Sequence, residues 1–229
     1  MTDVFQTVDD WIAQIKRGET PLLLEQFLRE NFPNLSPGGK YEVFIIYRYD
    51  DQGSFTSSCL FWVWAHLCEL EAFLLPSLND TAGLFALGSN GLRYLHHKQE
   101  EVAGILRDEG RPLDKYDPFV LASFFAESLG RNRNKDHGVL RSEDHLAHYG
   151  DYYKLNLKEW EKCRRQFTAP SITKVIDGWN LEFFSVYGWM HEKKHLIRHN
   201  FLVTPDLKIY SGTQVLSKKI FKRTPHYMY

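Results

Sequence analysis

Apolar residues recur every three or four positions at the start of the chain, which is the spacing of an amphipathic helix. Val4, Val8 and Trp11 follow this spacing, with Asp3 placed to cap the first turn and Gly18 to end the helix. Similar patterns, bounded by capping residues, proline or glycine, predict further helices after Thr20-Pro21, over residues 90–107, after Asp117-Pro118, and after Asn156, which has Glu159 three positions later as in a capping box.

Continuous runs of aromatic and β-branched residues predict strands rather than helices. Tyr41–Tyr49 reads YEVFIIYRY and is followed by turn-forming residues at Asp50–Gly53. Cys59–Ala65 is then interpreted as the returning strand of a hairpin. Because a short apolar run has no decisive period, residues 57–75 also fit a buried helix, and the strand is the preferred interpretation.

The last third of the chain alternates short apolar runs with turn residues, as antiparallel sheets do. Four strands are predicted, separated by an Asp177-Gly178 turn, a loop over 188–193 and a Pro205-Asp206 turn: residues 172–176, 179–187, 195–204 and 208–216. The sequence therefore predicts an α+β protein. N-terminal helices and a β-hairpin are followed by a C-terminal antiparallel β-meander that packs against helices.

A polar stretch separates these two parts of the chain. Residues 131–155 begin RNRNKDHG and contain few apolar residues, which is typical of a surface loop or a boundary. The predicted division is an N-terminal αβ part over 1–130, a connecting loop over 131–155, and a helix with the β-meander and a basic tail over 156–229. One continuous domain is the alternative.

Composition and charge narrow the function classes. The 229 residues are 43% hydrophobic and 25% charged, which excludes a disordered or collagen-like chain. The net charge of −1 does not favour general nucleic-acid coating. Residues 1–150 carry 14 Lys and Arg against 22 Asp and Glu, whereas residues 151–229 carry 14 against 7. We interpret this asymmetry as attraction between the two parts, with an acidic or nucleic-acid partner as the alternative.

The sequence also predicts a compartment. Three aspartates precede the first basic residue, unlike the basic start of a secretory signal. The longest apolar stretch, Cys59–Leu75, is interrupted by His66, Glu69 and Glu71 and is too short to span a bilayer. The three cysteines form no CxxC pair, which is typical of reduced, buried thiols. We therefore expect a cytoplasmic protein that does not enter a membrane.

The candidate catalytic residues lie in the polar stretch. The sequence has no GxSxG, HExxH or GxGxxG motif, and it gives no indication of a cofactor. A cluster of carboxylates and imidazoles nevertheless has the residue types that general acid–base or metal-assisted hydrolysis needs. Its members are Asp136, His137, Asp144, His145 and His148.

His191, His195 and His199 do not form a predicted metal site, although their spacing is regular. On a strand they share a face, but at about 3.3 Å per residue roughly 13 Å separates neighbours. One ion cannot bridge that distance, so no metal ligand is assigned.

Aromatic residues make up 15% of the chain, and many fall on the predicted meander. Trp179, Phe183 and Tyr187 share one strand face and Phe184 lies on the other, so the sheet is apolar on both sides. Either helices cover both faces or one face is a binding surface. The predicted binding residues combine aromatics of this region with basic residues of the tail: Trp179, Tyr187, Trp189, Lys218, Lys219, Lys222 and Arg223.

Two main function classes follow. The preferred hypothesis is a non-catalytic interaction or ligand-binding module that uses the aromatic C-terminal sheet face, with a protein, a small ligand or a second copy of the chain as partner. The alternative is a hydrolase-like enzyme, metal-assisted or not, that uses the cluster over 136–148. Binding of single-stranded nucleic acid by the basic, aromatic C-terminal part is a third hypothesis.

Overall fold

The computed structural model describes residues 3–31, 40–48, 55–68, 80–129, 138–149, 153–187 and 195–223. The chain divides into two compact units, Met1–Gly110 and Arg111–Tyr229. The helices are α1 (Val4–Lys16), α2 (Leu22–Asn31), α3 (Gln99–Glu109), α4 (Pro118–Leu129) and α5 (Leu157–Cys163). The strands are β1 (Lys40–Arg48), β2 (Ser58–Cys68), β3 (Asp80–Gly88), β4 (Gly91–Tyr94), β5 (Gly138–Val139), β6 (Tyr153–Leu155), β7 (Ser171–Val175), β8 (Gly178–Tyr187), β9 (His195–Val203), β10 (Ile209–Ser217) and β11 (Phe221–Arg223). Short 3-10 segments lie at Leu113–Lys115, Glu143–Tyr149 and Arg164–Gln166.

The first unit contains an antiparallel sheet in the order β1-β2-β3-β4. Its first two strands are the predicted hairpin, and β2 confirms the strand interpretation for the beginning of the 57–75 run. β3 and β4 extend the hairpin into a meander, with a turn at Ser89-Asn90. Residues 69–79 lie outside the described part of the chain.

Apolar residues of α1 and α2 cover one face of this sheet. Asp3 caps α1 as predicted, since its Oδ1 accepts the N–H of Phe5 at 2.9 Å. The Trp11 ring of α1 meets the Phe61 ring of β2 edge-on, with centroids 5.9 Å apart. Leu28 of α2 belongs to the same buried cluster. The helical spacing in the sequence therefore corresponds to a core-facing surface.

The end of α3 holds the start of β2. The Glu109 carboxylate accepts the N–H groups of Thr56 at 2.9 Å and Ser57 at 2.8 Å. It also accepts the Thr56 hydroxyl at 3.0 Å. One side chain thus satisfies three donors where the chain enters the sheet, and it fixes that entry point to the helix.

The helix predicted over 90–107 is wrong in its first part. Gly91–Tyr94 forms β4, and α3 begins at Gln99. Tyr94 packs on Phe85 of β3 with ring centroids 5.0 Å apart, and Gly91 has a left-handed φ of 93° that suits a tight turn. Cross-strand pairing with β3 overrides the local helical spacing, because tertiary contacts are stronger than intrinsic propensity.

The second unit contains the predicted meander. Its antiparallel order is β10-β9-β8-β5, and β7 pairs with the first half of β8. Each of the four predicted strands is found with bounds within one residue of the expectation. The β7–β8 turn is formed by Ile176-Asp177 instead of Asp177-Gly178, because Val175 pairs directly with Gly178. A separate pair of short strands, β6 and β11, completes the unit.

Helices cover both faces of the central strands of the meander. On one face α4 contacts β8, and the rings of Phe125 and Phe201 meet with centroids 5.1 Å apart. On the other face, Phe184 shares a buried cluster with Trp160 of α5 and Phe221 of β11. The α+β class and the packing of the meander against helices are therefore confirmed.

The two predicted helix caps of this unit differ. Asp117 caps α4, with its Oδ1 accepting the N–H groups of Phe119 at 2.9 Å and Val120 at 3.0 Å. The side chain of Asn156 does not cap α5. Its amide donates to the carbonyl of Lys219 at 3.1 Å, so it ties the start of the helix to the chain before β11.

The described parts of the predicted connecting loop over 131–155 contain two short strands of the second unit. β5 pairs with β8, and β6 pairs with β11. In the sequence, the boundary between the two units falls between Gly110 and Arg111, before this loop. The three-part division over 1–130, 131–155 and 156–229 stays a prediction.

Candidate functional site

One side of the C-terminal sheet ends in an uncovered strand. β10 pairs with β9, and among the described residues no strand pairs with its other side. Six consecutive residues, 210–215, are exposed, including Tyr210 at 56% and Val215 at 46%. We refer to residues 210–215 as the β10 edge. An edge of this kind presents unpaired backbone N–H and C=O groups.

The backbone groups of the β10 edge point alternately to β9 and away from it. Thr204 and Lys208 close the β9–β10 turn as a hydrogen-bonded pair, with the Thr204 N–H donating to the Lys208 carbonyl at 3.0 Å. The register is continuous from there to Thr213, which lies opposite His199. Because Lys208 bonds to β9 and the direction alternates along the strand, even-numbered residues of β10 face β9. The N–H and C=O groups of Ser211 and Thr213 therefore point away from β9.

The β10 edge carries no charged side chain. From Ile209 to Ser217 the strand reads IYSGTQVLS, without Lys, Glu or Pro. Natural sheet edges usually carry a charge, a proline or a bulge that prevents pairing with another chain. The register of β10 shifts only after Val215, so residues 210–215 form a regular strand. By contrast, β7 on the opposite side of the sheet carries the exposed Lys174.

The surface beside the β10 edge is electrically balanced. Arg198 of β9 lies opposite Gln214, and its guanidinium forms an ion pair with the carboxylate of Glu182 on β8. The Thr168 hydroxyl donates to the other oxygen of this carboxylate at 3.3 Å. Because the two charges offset each other, the β10 edge presents mainly neutral side chains and backbone dipoles.

The predicted binding residues differ in their burial and in their position along the chain. Trp179 is half-buried at the start of β8, with the Lys174 ammonium 5.8 Å from its ring centroid. Lys218 and Lys219 are exposed directly after β10. The other members are Tyr187 at the end of β8, Lys222 and Arg223 on β11, and Trp189, which lies outside the described residues.

The structure describes part of the predicted catalytic cluster. Asp136 and His137 lie outside the described residues. Asp144, His145 and His148 all belong to the 3-10 segment between β5 and β6. Asp144 is exposed and His145 is half-buried. The convergence of these five residues on one catalytic site stays a prediction.

His145 holds a turn through its ring. Its Nδ1 accepts the N–H of Arg141 at 3.2 Å, and its ring meets the Phe119 ring edge-on. The Arg141 guanidinium lies 4.0 Å from the centroid of the same Phe119 ring. Because Nδ1 is an acceptor here, the neutral ring carries its proton on Nε2. The Nδ1 lone pair is therefore engaged in the structure of the turn.

A buried serine–histidine pair is a contact that the sequence analysis missed. Ser185 Oγ and His199 Nε2 lie 2.8 Å apart, which is also the distance between a nucleophile and its base. Ser185 is fully buried, however, and His199 is 5% exposed. The His199 ring stacks on the Phe183 ring, with centroids 4.6 Å apart. The pair therefore satisfies two polar groups inside the core.

No local motif could have revealed this pair. The two residues lie on different strands, and only the β8–β9 register, which places Phe183 opposite His199, brings them together. Alternation on neighbouring strands puts Ser185 on the same face. The signal in the sequence is limited to a serine and a histidine within predicted strands, which is common.

Cys163 has a buried thiol. Its Sγ lies 3.7 Å from the carbonyl oxygen of Leu216. Burial raises the pKa of the Cys163 thiol, and the nearby carboxylate of Glu159 raises it further. The thiolate is the reactive form of cysteine, so Cys163 serves as a packing residue of the second unit.

The part of the chain that the structure describes was compared with the geometry of metal-binding clusters and of membrane-spanning helices. No group of three or more His, Cys, Asp and Glu side chains there is arranged to hold a metal ion. Within the same described ranges, no helix is long and apolar enough to cross a membrane.

Comparison with known proteins gives no match. No protein-family model, no curated protein and no solved structure matches this chain.

Proposed function

We propose that this protein is a non-catalytic interaction module whose β10 edge binds an extended segment of a protein partner as an additional strand of the sheet. The observation that carries the proposal is the run of six exposed, uncharged residues on an edge strand. Ser211 and Thr213 supply the outward backbone N–H and C=O groups that such a strand needs. The C-terminal sheet is thus the binding element, through its edge.

Side chains on the β10 edge set the selectivity of this interaction. Tyr210, Gly212 and Gln214 share one face of the strand, where the exposed Tyr210 ring offers apolar contact area. Gly212 leaves room between its two neighbours for a side chain of the bound strand. Lys218 follows the edge and favours an acidic residue at the corresponding end of the partner.

The compartment proposed for this function is the cytoplasm. Cys163 is a buried thiol that forms no disulfide. Reduced cysteines persist in a reducing compartment, whereas secreted proteins commonly use disulfides. A cytosolic extended peptide or disordered protein segment is therefore the proposed kind of partner.

Thr213→Pro tests the proposed function. Proline removes the Thr213 N–H, which points away from β9, so the pairing of β10 with β9 is retained. We expect peptides of the length of β10, selected from a random library on the full chain, to bind this variant about tenfold more weakly, because backbone hydrogen bonds to the added strand are lost. Affinity is measured by fluorescence anisotropy on the purified full-length protein.

Thr173→Lys is the matched control. Thr173 is an exposed strand residue on β7, at the other side of the sheet. The control variant should bind the selected peptides as the wild type does. Circular dichroism and thermal unfolding establish that both variants are folded. Equal binding of the peptides to wild type and to Thr213→Pro would place their site elsewhere and refute the proposed function.

A further inference from the structure

We infer that the strand bound at the β10 edge is β10 of a second copy of this chain, so that two C-terminal sheets join into one across a two-fold axis. The inference rests on the proposed function and names its partner. A two-fold interface places the same surface on both sides, so the surface must be complementary to itself. The β10 edge meets this condition in hydrogen bonding, in size and in charge.

The direction of the backbone groups restricts the register. Outward-pointing groups belong to odd-numbered residues such as Ser211 and Thr213, and in an antiparallel pair they must face outward-pointing groups of the second copy. A two-fold axis at Gly212 satisfies this condition. It pairs Ser211 of each copy with Thr213 of the other, so that each such pair exchanges backbone hydrogen bonds.

The residue at the axis has the right size. Gly212 would face Gly212 of the second copy in a non-hydrogen-bonded pair, where Cα atoms approach to about 4.5 Å. Tyr210 would lie opposite Gln214 of the second copy and diagonal to its glycine. Tyr210, which is 56% exposed in the single chain, would then pack against Gln214 and Gly212 of the second copy.

The positions of charged residues favour the register with the axis at Gly212 over the register with the axis at Thr213. With the axis at Gly212, Lys218 of each copy, which follows the register shift after Val215, faces the β9–β10 turn of the other copy within one position of Asp206. With the axis at Thr213, Lys208 would come near Lys218, and like charges would repel. Asp206 already attracts one ammonium, since its carboxylate lies 2.8 Å from Lys208 Nζ. Between these ends the β10 edge holds no charge, so self-pairing brings no like charges together.

Gly212→Lys tests this inference without destabilising the folded single chain. A Cβ at Gly212 would meet no atom closer than 3.8 Å, so the single chain accommodates the side chain. In the pair of copies it would place two ammonium groups at the axis. We expect the wild type to dimerise across a dilution series in light scattering and native mass spectrometry. Gly212→Lys should raise the dissociation constant more than about tenfold.

Thr173→Lys again serves as the control, because it adds the same charge to an exposed strand residue away from β10. Its dissociation constant should equal that of the wild type. A charge reversal checks the register: Lys218→Asp should weaken the dimer, and the combined Asp206→Lys and Lys218→Asp variant should restore it. Failure of the double variant to recover dimerisation would overturn the register centred on Gly212.

The possible outcomes separate this inference from the proposed function. A wild-type monomer at every concentration, whose selected peptides still lose affinity in Thr213→Pro, overturns the inference and supports the proposed function. A dimer that Gly212→Lys does not weaken also overturns the inference. A dimer weakened by Gly212→Lys but not by Thr173→Lys supports it. Amide exchange at Ser211 and Thr213 should then slow as protein concentration rises.

Discussion

Gly178 is a position where the fold requires glycine, and replacing it gives a strong test of the β7–β8–β9 geometry. Its φ of 143° lies in a region that residues with a Cβ rarely adopt. A Cβ built at Gly178 would overlap the carbonyl oxygen of Val203 and lie 2.9 Å from Thr204 Cα. Both neighbours are backbone, so a rotamer change cannot relieve the overlap.

The expected loss of unfolding free energy in Gly178→Ala is the sum of two contributions. A non-glycine residue held at such a φ costs about 1–3 kcal/mol. Forcing the end of β9 away from β8 adds about 1–3 kcal/mol, as for other overpacked sites. We therefore expect Gly178→Ala to lower the free energy of unfolding by about 2–6 kcal/mol. The loss should be located in the second unit.

Gly212→Ala is the matched control within the same sheet. A Cβ there would meet the Asn200 carbonyl oxygen at 3.8 Å, which is an ordinary contact, so its effect should stay within about 0.5 kcal/mol. Urea unfolding followed by tryptophan fluorescence and circular dichroism measures both variants at a protein concentration at which the wild type is monomeric, because dimerisation at Gly212 would add to the apparent stability. A Gly178→Ala stability within about 0.5 kcal/mol of the wild type would refute the reasoning.

Three further predictions concern polar contacts. Ser185→Ala should lower the free energy of unfolding by about 1–2 kcal/mol, since it removes the hydrogen bond to His199. A double-mutant cycle with His199→Phe, measured by urea unfolding, should show that the effects of the two substitutions are not additive. Glu109→Ala should accelerate amide exchange at the start of β2, whereas unchanged exchange would mean that its three hydrogen bonds do not hold that segment. The hydrogen bond from Lys208, followed by that from Thr204, lowers the pKa of Asp206 from 3.8 to about 2. The stabilisation linked to this carboxylate is therefore present above pH 3.8 and lost as pH falls through about 2. In an NMR titration of Asp206, Lys208→Ala should move the midpoint of the carboxyl titration toward 3.8. An unmoved midpoint would contradict the assignment of the lowered pKa to Lys208.

The catalytic and binding residues predicted from the sequence show how far composition can locate a site. Asp144 and His145 are adjacent in sequence and fall in one 3-10 segment, but His145 Nδ1 accepts the Arg141 N–H. Residue type indicates what a side chain can do, whereas its hydrogen-bond partners determine what it does. For binding, Lys218 and Lys219 were predicted and are exposed beside the β10 edge. The edge itself was not predicted as a surface.

The sequence by itself determined the local elements of this protein. Asp3 and Asp117 mark helix starts because a capping side chain bonds to donors within its own helical turn. The four strands of the meander are visible because alternation and turn residues act over a few positions. These features depend on neighbours in sequence, so one sequence is sufficient to predict them.

The tertiary structure decided which of these elements are covered and which are free. Gly91–Tyr94 became a strand because β3 pairs with it, and Ser185 met His199 because the β8–β9 register placed them together. β10 reads in the sequence as one strand among four, and its lack of charge is visible there. Only the order of the strands makes it an edge, because burial and pairing depend on residues far apart in the chain.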